Sequence, residues 1–224
     1  ESVEILENFA GWVYCKLLTD NYFGWIKKNS LGKLTNTTHR IINKNSFVYK
    51  EPSEKSNILL YLPLGSRLVV EKIKFGWAEI NFNFKNKIHI GYVPSKHIVI
   101  NNLKVEDWVS VAQQLEGIPY RWGGRDTIGI DCSALLQLSY QAYREDIPRN
   151  TSEQIKLTKP ILDKLDDLKR GSVVFWKGHV AIMIDKTNCI HANAFHMKTK
   201  TEALIDVISR MEKNNNILSM MDFN

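Results

Sequence analysis

The stretch Pro119–Gln137, PYRWGGRDTIGIDCSALLQ, decides how the rest of the chain is read. Its first half is punctuation. Pro119, Gly123, Gly124 and Gly129 make a turn-rich lead-in where backbone can approach a ligand closely. The second half turns apolar: Ala134, Leu135, Leu138 and Ala142 recur at separations of one, three and four, the spacing of a buried helix. Between the halves stands Asp131, a residue type favoured at helix N-caps, and Cys132 follows directly. A thiol in the first turn of a helix feels the partial positive charge of the unpaired N–H groups there, which favours the thiolate. Free cysteines are also ordinary core filler. Cys132 therefore needs a partner before it counts as a nucleophile.

A partner lies downstream. Ser172–Trp176 (SVVFW) is a short apolar run, Lys177-Gly178 reads as a two-residue hairpin turn, and His179–Asp185 (HVAIMID) is apolar again. His179 thus opens a strand. A further strand, Cys189–Ala192, carries His191, twelve positions on, and a turn near Asp185–Asn188 would bring the two imidazoles together. Cys132 as attacking sulfur, His179 as base and His191 as the group that fixes the tautomer of His179 make a cysteine-peptidase constellation.

PYRWGGRDTIGIDCSALLQ, then PRNTSEQ at Pro148–Gln154, then the GSVVFW and GHVAIMID strands and the IHA triplet at Ile190–Ala192, resemble the NlpC-type family of bacterial cell-wall cysteine peptidases. The resemblance runs from about Trp108 to the C-terminus. It implies an α+β, papain-like catalytic domain over 104–224 with Cys132 as nucleophile, His179 as base and His191 as third member. Tyr120 matches the loop tyrosine beside the thiol, a side-chain donor to the oxyanion together with the helix-start N–H groups. The implied substrate is a peptidoglycan stem peptide, cut between γ-D-glutamate and a diamino acid, in wall turnover or in recycling of released peptides. In such relatives the carboxylate before the Cys and the hydroxyl after it lie near the substrate's free amine, which places Asp131 and Ser133 there. An Arg-Asp-Ser triplet that helps line the cleft becomes Arg149, Asn150 and Thr151 here. Asn150 lacks the charge, and a hydrogen bond to a charged acceptor is about twice as strong as a neutral one. Ala134 is a second departure, standing where the family usually has Gly.

The first hundred residues are a different text, short β-prone runs broken by Gly, Asn and Pro. Ser2–Trp12 and Ser66–Trp77 repeat one pattern, an alternating strand that closes on Gly-Trp; each is followed by a glycine-aromatic strand, Gly24-Trp25 and Gly91-Tyr92. This resembles two small all-β bacterial SH3-like barrels, over 1–35 and 43–100, the first lacking its opening strand. Trp12, Trp25, Trp77 and Tyr92 are expected in barrel core and rim. In relatives with such a barrel ahead of the peptidase domain, a barrel tyrosine helps bind the substrate's amine; Tyr22 is the matching residue.

The chain has 224 residues, enough for a sizeable core in two or three domains. The net charge of +6 raises nucleic acid as a partner, but the basic residues are scattered and no basic helix appears, so no nucleic acid is expected. No run of eighteen apolar residues exists to span a membrane. Three cysteines, Cys15, Cys132 and Cys189, do not make a disulfide framework. Compartment stays open between cytoplasm and periplasm or wall. No cofactor and no metal are called for, although Cys189, His191 and His196 read C-x-H-x4-H, an unusual zinc spacing. A non-catalytic wall-binding protein and a thiol acyltransferase or amidase on the same scaffold are the competing readings.

Overall fold

The computed structural model describes residues 1–84, 87–143, 146–211 and 216–224. The chain divides into two compact units, Glu1–Leu103 and Lys104–Asn224.

The first unit is all β among its described residues. β1 (Val3–Phe9), β2 (Trp12–Leu17) and β3 (Phe23–Lys27) form an antiparallel three-stranded sheet. β4 (His39–Ile41), β5 (Asn45–Tyr49), β6 (Ile58–Pro63), β7 (Arg67–Lys74), β8 (Trp77–Phe84), β9 (Lys87–Pro94) and β10 (Ile98–Ile100) make a second sheet, ordered β10-β4-β7-β8-β9-β5-β6. Its core is Ile41, Val48, Leu68, Ala78, Ile80 and Val93, joined by Ile98.

The sequence repeat is a backbone repeat. β1 and β2 meet at Ala10-Gly11, and β7 and β8 at Phe75-Gly76. Both residues of each turn have positive φ, 45° and 83° in the first and 50° and 82° in the second. That is the twist a two-residue hairpin needs, and Gly supplies half of it without strain. After each hairpin comes a third strand and a single 3-10 turn, Lys28–Ser30 and Ser95–His97. Trp12 and Trp25 differ from the expected core and rim positions. They are 43% and 45% exposed, on a sheet whose edge strand β1 leaves Ile5, Leu6 and Phe9 exposed as well. A three-stranded sheet has too few strands to close over its own aromatics.

The second unit opens with α1 (Trp108–Gln114), capped by Asp107, whose carboxylate accepts from the backbone N–H groups of Val109 and Ser110. Leu115 and Gly117, φ +79°, end it. α2 (Cys132–Tyr143) and the short α3 (Thr151–Gln154) follow. Then come β11 (Ser172–Trp176), β12 (His179–Met183), β13 (Asn188–Asn193), β14 (Lys198–Ala203), α4 (Leu204–Met211) and β15 (Ser219–Asp222). The five strands form one antiparallel sheet, β14-β13-β12-β11-β15. β11 and β12 are nearly continuous apolar text and almost wholly buried, as strands covered on both faces must be. Trp108, Tyr140 and Phe223 interlock edge to face in the core.

The apolar spacing over Glu202–Glu212 suggests a helix from Glu202. The helix begins two residues later, because Glu202 still pairs across the sheet with Cys189. Glu212 lies outside the described residues.

Candidate active site

The glycine-rich loop ahead of α2 is held in place by backbone. Ile130 donates to Pro119, Arg121 to Ile130 and Asp131 to Gly124. A Cβ on Gly124 would collide with the carbonyl of Gly129, so glycine is required by the close approach of two backbones. Asp131 closes the loop. Its Oδ1 caps α2 by accepting from the N–H of Ala134 at 2.9 Å, and its Oδ2 accepts from the N–H of Gly123 at 2.8 Å. Arg149 completes the cluster with a two-pronged contact, Nη1 to Oδ1 at 2.9 Å and Nη2 to Oδ2 at 2.7 Å, and also donates to Ser133 Oγ at 2.8 Å. Ser133 Oγ in turn donates to Asp131 Oδ1. Both ends of the ion pair are nearly buried.

Cys132 therefore stands at the first position of α2, 7% exposed, on the edge of a cavity of about 420 Å³. Tyr120, Trp122, Asn150, Thr151, Trp176 and Gly178 line the same cavity, as do Asp131 and Ser133. Asn150 occupies the N-cap position of α3 but its side chain makes no capping bond there. Sequence reasoning did not single out Trp122, which is 88% exposed; an exposed tryptophan between turn residues was the available signal. Nor did it single out Gln154, fully buried, whose amide donates to the carbonyls of Ser133 and Pro148 and so ties α3 to the start of α2.

The Cys132 sulfur lies 4.0 Å from the carbonyl oxygen of Gly178, in the turn that delivers His179. Lys177-Gly178 is a tight turn, with Trp176 paired to His179 across it. Beyond β12, Asp185 accepts from the N–H groups of Thr187 and Asn188 and turns the chain back. The β12–β13 register pairs Ile182 with Ile190 and Met183 with Cys189. Continued along the strands, it sets His191 across from Ala181, diagonal to His179 on the same face. The rings meet: His179 Nε2 and His191 Nδ1 are 2.7 Å apart. His191 Nε2 is 2.7 Å from Glu202 Oε1, a residue sequence reasoning placed on a helix and gave no role.

Charge follows burial. Burial, then the neighbouring Asp131 carboxylate, pushes the Cys132 thiol up to about 11. Backbone N–H groups, that of Val180 in β12 first and then those of Ser133 and Cys132 at the helix start, pull the other way and are outweighed, so the balance favours the thiol over the thiolate expected from the helix position alone. Burial, then His191, pushes His179 down to about 3. Burial likewise lowers His191 against the pull of Glu202. Tyr120 is raised by burial and by Cys132, which marks its closeness to the sulfur. Such a site can hold a neutral thiol beside a neutral imidazole and pass the proton as sulfur attacks. His191 and His196 both turn a ring nitrogen to Glu202, and no cluster among the described residues is arranged to hold a metal ion.

Tyr22 belongs to the first unit, half exposed at the turn before β3, where its N–H donates to Asp20. No helix among the described residues is long and apolar enough to cross a membrane.

Residues 117–213, which hold the thiol, both histidines and Glu202, match the NlpC/P60 family. The second unit is an NlpC/P60 domain. Dipeptidyl-peptidase 6 of Lysinibacillus sphaericus is 28% identical over 85% of this chain and 75% of its own length. A gamma-D-glutamyl-L-lysine dipeptidyl-peptidase of Bacillus subtilis (strain 168) is 26% identical, over 85% of this chain but 64% of its own length. The crystal structure of an NlpC/P60 family protein from Bacillus cereus superposes with a TM-score of 0.81 at 20% identity, covering 99% of this chain and 79% of the other. The shared fold extends through both units.

Proposed function

We propose that the chain is a cysteine peptidase that hydrolyses the amide between γ-D-glutamate and a diamino acid in peptidoglycan-derived peptides. The observation that carries it is the Cys132 sulfur at the rim of the cavity, against the turn bearing His179, with His179 backed by His191. The substrate class follows the gamma-D-glutamyl-L-lysine dipeptidyl-peptidase likeness, which runs over both units.

Cys132 Sγ adds to the amide carbonyl while its proton passes to His179. The oxyanion is met by N–H groups at the start of α2 and by the Tyr120 hydroxyl. His179 then protonates the departing amine, leaving a thioester on Cys132. Water attacks the thioester, gives its proton to His179, and the proton returns to sulfur as the acid leaves.

Asp131, Ser133, Arg149, Asn150 and Thr151 form the substrate-binding wall. Within it Asp131 serves chiefly to hold the loop, since its oxygens already accept from Gly123, Ser133, Ala134 and Arg149. Strands over 1–35 and 43–100 are two SH3-like modules, supported by the repeated hairpin, strand and 3-10 turn. The test is mass spectrometry of digests of L-Ala-γ-D-Glu-L-Lys and its diaminopimelate counterpart, free and N-acetylated. Cleavage after γ-D-Glu is expected; an intact peptide in both series overturns the proposal, and equal rates on acetylated peptide remove any requirement for the free amine.

A further inference from the structure

Behind the two histidines lies a chain of hydrogen bonds whose direction is fixed by charge. A carboxylate accepts and never donates. Glu202 Oε1, 2.7 Å from His191 Nε2, therefore requires the hydrogen of that contact on the imidazole nitrogen. A neutral His191 then offers only a lone pair at Nδ1, so His179 Nε2, 2.7 Å away, must be the donor there. His179 is left with a bare Nδ1.

Glu202 is itself held. Arg210 reaches it with Nη1 to Oε2 at 2.9 Å and Nη2 to Oε1 at 2.7 Å, and His196 Nε2 lies 3.2 Å from Oε1. Arg210 is braced in turn by the ring of Phe195, 4.4 Å from its guanidinium carbon. Burial alone would raise Glu202, but Arg210, His191 and His196 outweigh it and hold the carboxyl at about 2, ionised at any working pH.

We propose that Glu202, clamped by Arg210, is a positioning residue that sets the tautomers of His191 and His179 and so makes Nδ1 of His179 the proton acceptor. This rests on the reading that Cys132 and His179 carry the chemistry. The charged or titratable groups facing the relay are Cys132, whose sulfur lies against the turn that precedes His179, and Cys189, His191, His196 and Arg210 around Glu202.

Two variants act with opposite sign. Glu202 raises the proton affinity of His179 and Arg210 lowers it. Glu202→Gln therefore moves the acidic limb of the kcat/KM profile to lower pH, and Arg210→Gln moves it to higher pH. Glu202→Gln also offers an N–H where only an acceptor stood, so part of the population takes the wrong tautomer. Its kcat falls about 10²-fold with KM unchanged, the scale of a misplaced general base.

The deciding measurement is a long-range ¹H–¹⁵N spectrum of the full chain with ¹⁵N-labelled histidine at neutral pH. Both His179 and His191 are expected as Nε2–H rings with bare Nδ1. A hydrogen on Nδ1 of His179 in the unsubstituted chain overturns the proposal, as does a Glu202→Gln chain with unchanged tautomers, kcat and pH limb. The spectrum needs no turnover, so it decides the relay even if the peptides tested are not cleaved.

Discussion

Cys132 and Cys189 sit in the same unit, both buried and both unpaired, and burial raises both thiols, to about 11 and about 12. Acidity does not separate them; surroundings do. Cys189 belongs to the buried apolar cluster that holds Val174 and Met183 of the sheet and Leu204 and Val207 of α4. Cys132 sits at a helix start, on a cavity, beside the turn that delivers an imidazole. A thiol becomes a candidate nucleophile here through access and a waiting base, not through a standing negative charge.

The sharpest way to break that comparison is substitution. Cys132→Ala should lower kcat by about 10⁴-fold or more, the scale of losing a nucleophile. Cys189→Ala should keep turnover and lose stability only. Steady-state kinetics beside thermal melts reads both, and equal loss of turnover in the two variants would erase the distinction.

Alkylation sharpens it next. With a thiol near 11, the rate of iodoacetamide capture at Cys132 should climb about tenfold per pH unit from 7 toward 11. Cys189 should label only after unfolding. Rapid, pH-independent capture of Cys132 at pH 7 would instead reveal a resting thiolate.

The loop under Cys132 depends on one buried ion pair. Arg149→Met strands the Asp131 carboxylate and should cost about 3–5 kcal/mol of stability. Denaturant unfolding checks it, and a loss under about 1 kcal/mol, the worth of an exposed pair, would refute a buried one. Tyr120→Phe, removing one oxyanion donor, should lower kcat by up to about 10²–10³-fold with little change in the melt. The smallest effect is on pH. His179 and His191 are lowered in the folded chain, so the stability they lend is whole above their unfolded value near 6.5. It drains as pH falls from there, in the case of His179 through about 3. Melts at pH 7 and pH 4 should show that loss shrinking in His179→Gln.

Cys132, His179 and His191 were legible because each stands beside strong local signals. An N-cap Asp precedes the thiol, a two-residue turn precedes His179, and apolar alternation continues to His191. β11 spans the residues that its apolar run predicts, and β12 and β13 start or end within a few of theirs. Glu202 and Arg210 were not legible. They reach the site from β14 and α4, and the apolar period of α4 drew Glu202 into a helix it does not join. The balance of influences on the thiol was not legible for a related reason. Helix-start polarity is visible in sequence, whereas burial of the sulfur and the nearness of Asp131 are properties of the fold. Trp12 and Trp25 were misplaced because alternation shows that a strand has two faces, not whether anything covers them.

The two hairpin tips leave Ala10 and Phe75 in a left-handed backbone region that costs an ordinary side chain about 1–2 kcal/mol. Asn tolerates that region far better, so Ala10→Asn and Phe75→Asn offer a route to a more heat-tolerant protein. Neither residue lies in the unit that holds the thiol. Durability and turnover in this chain can be tuned at separate addresses.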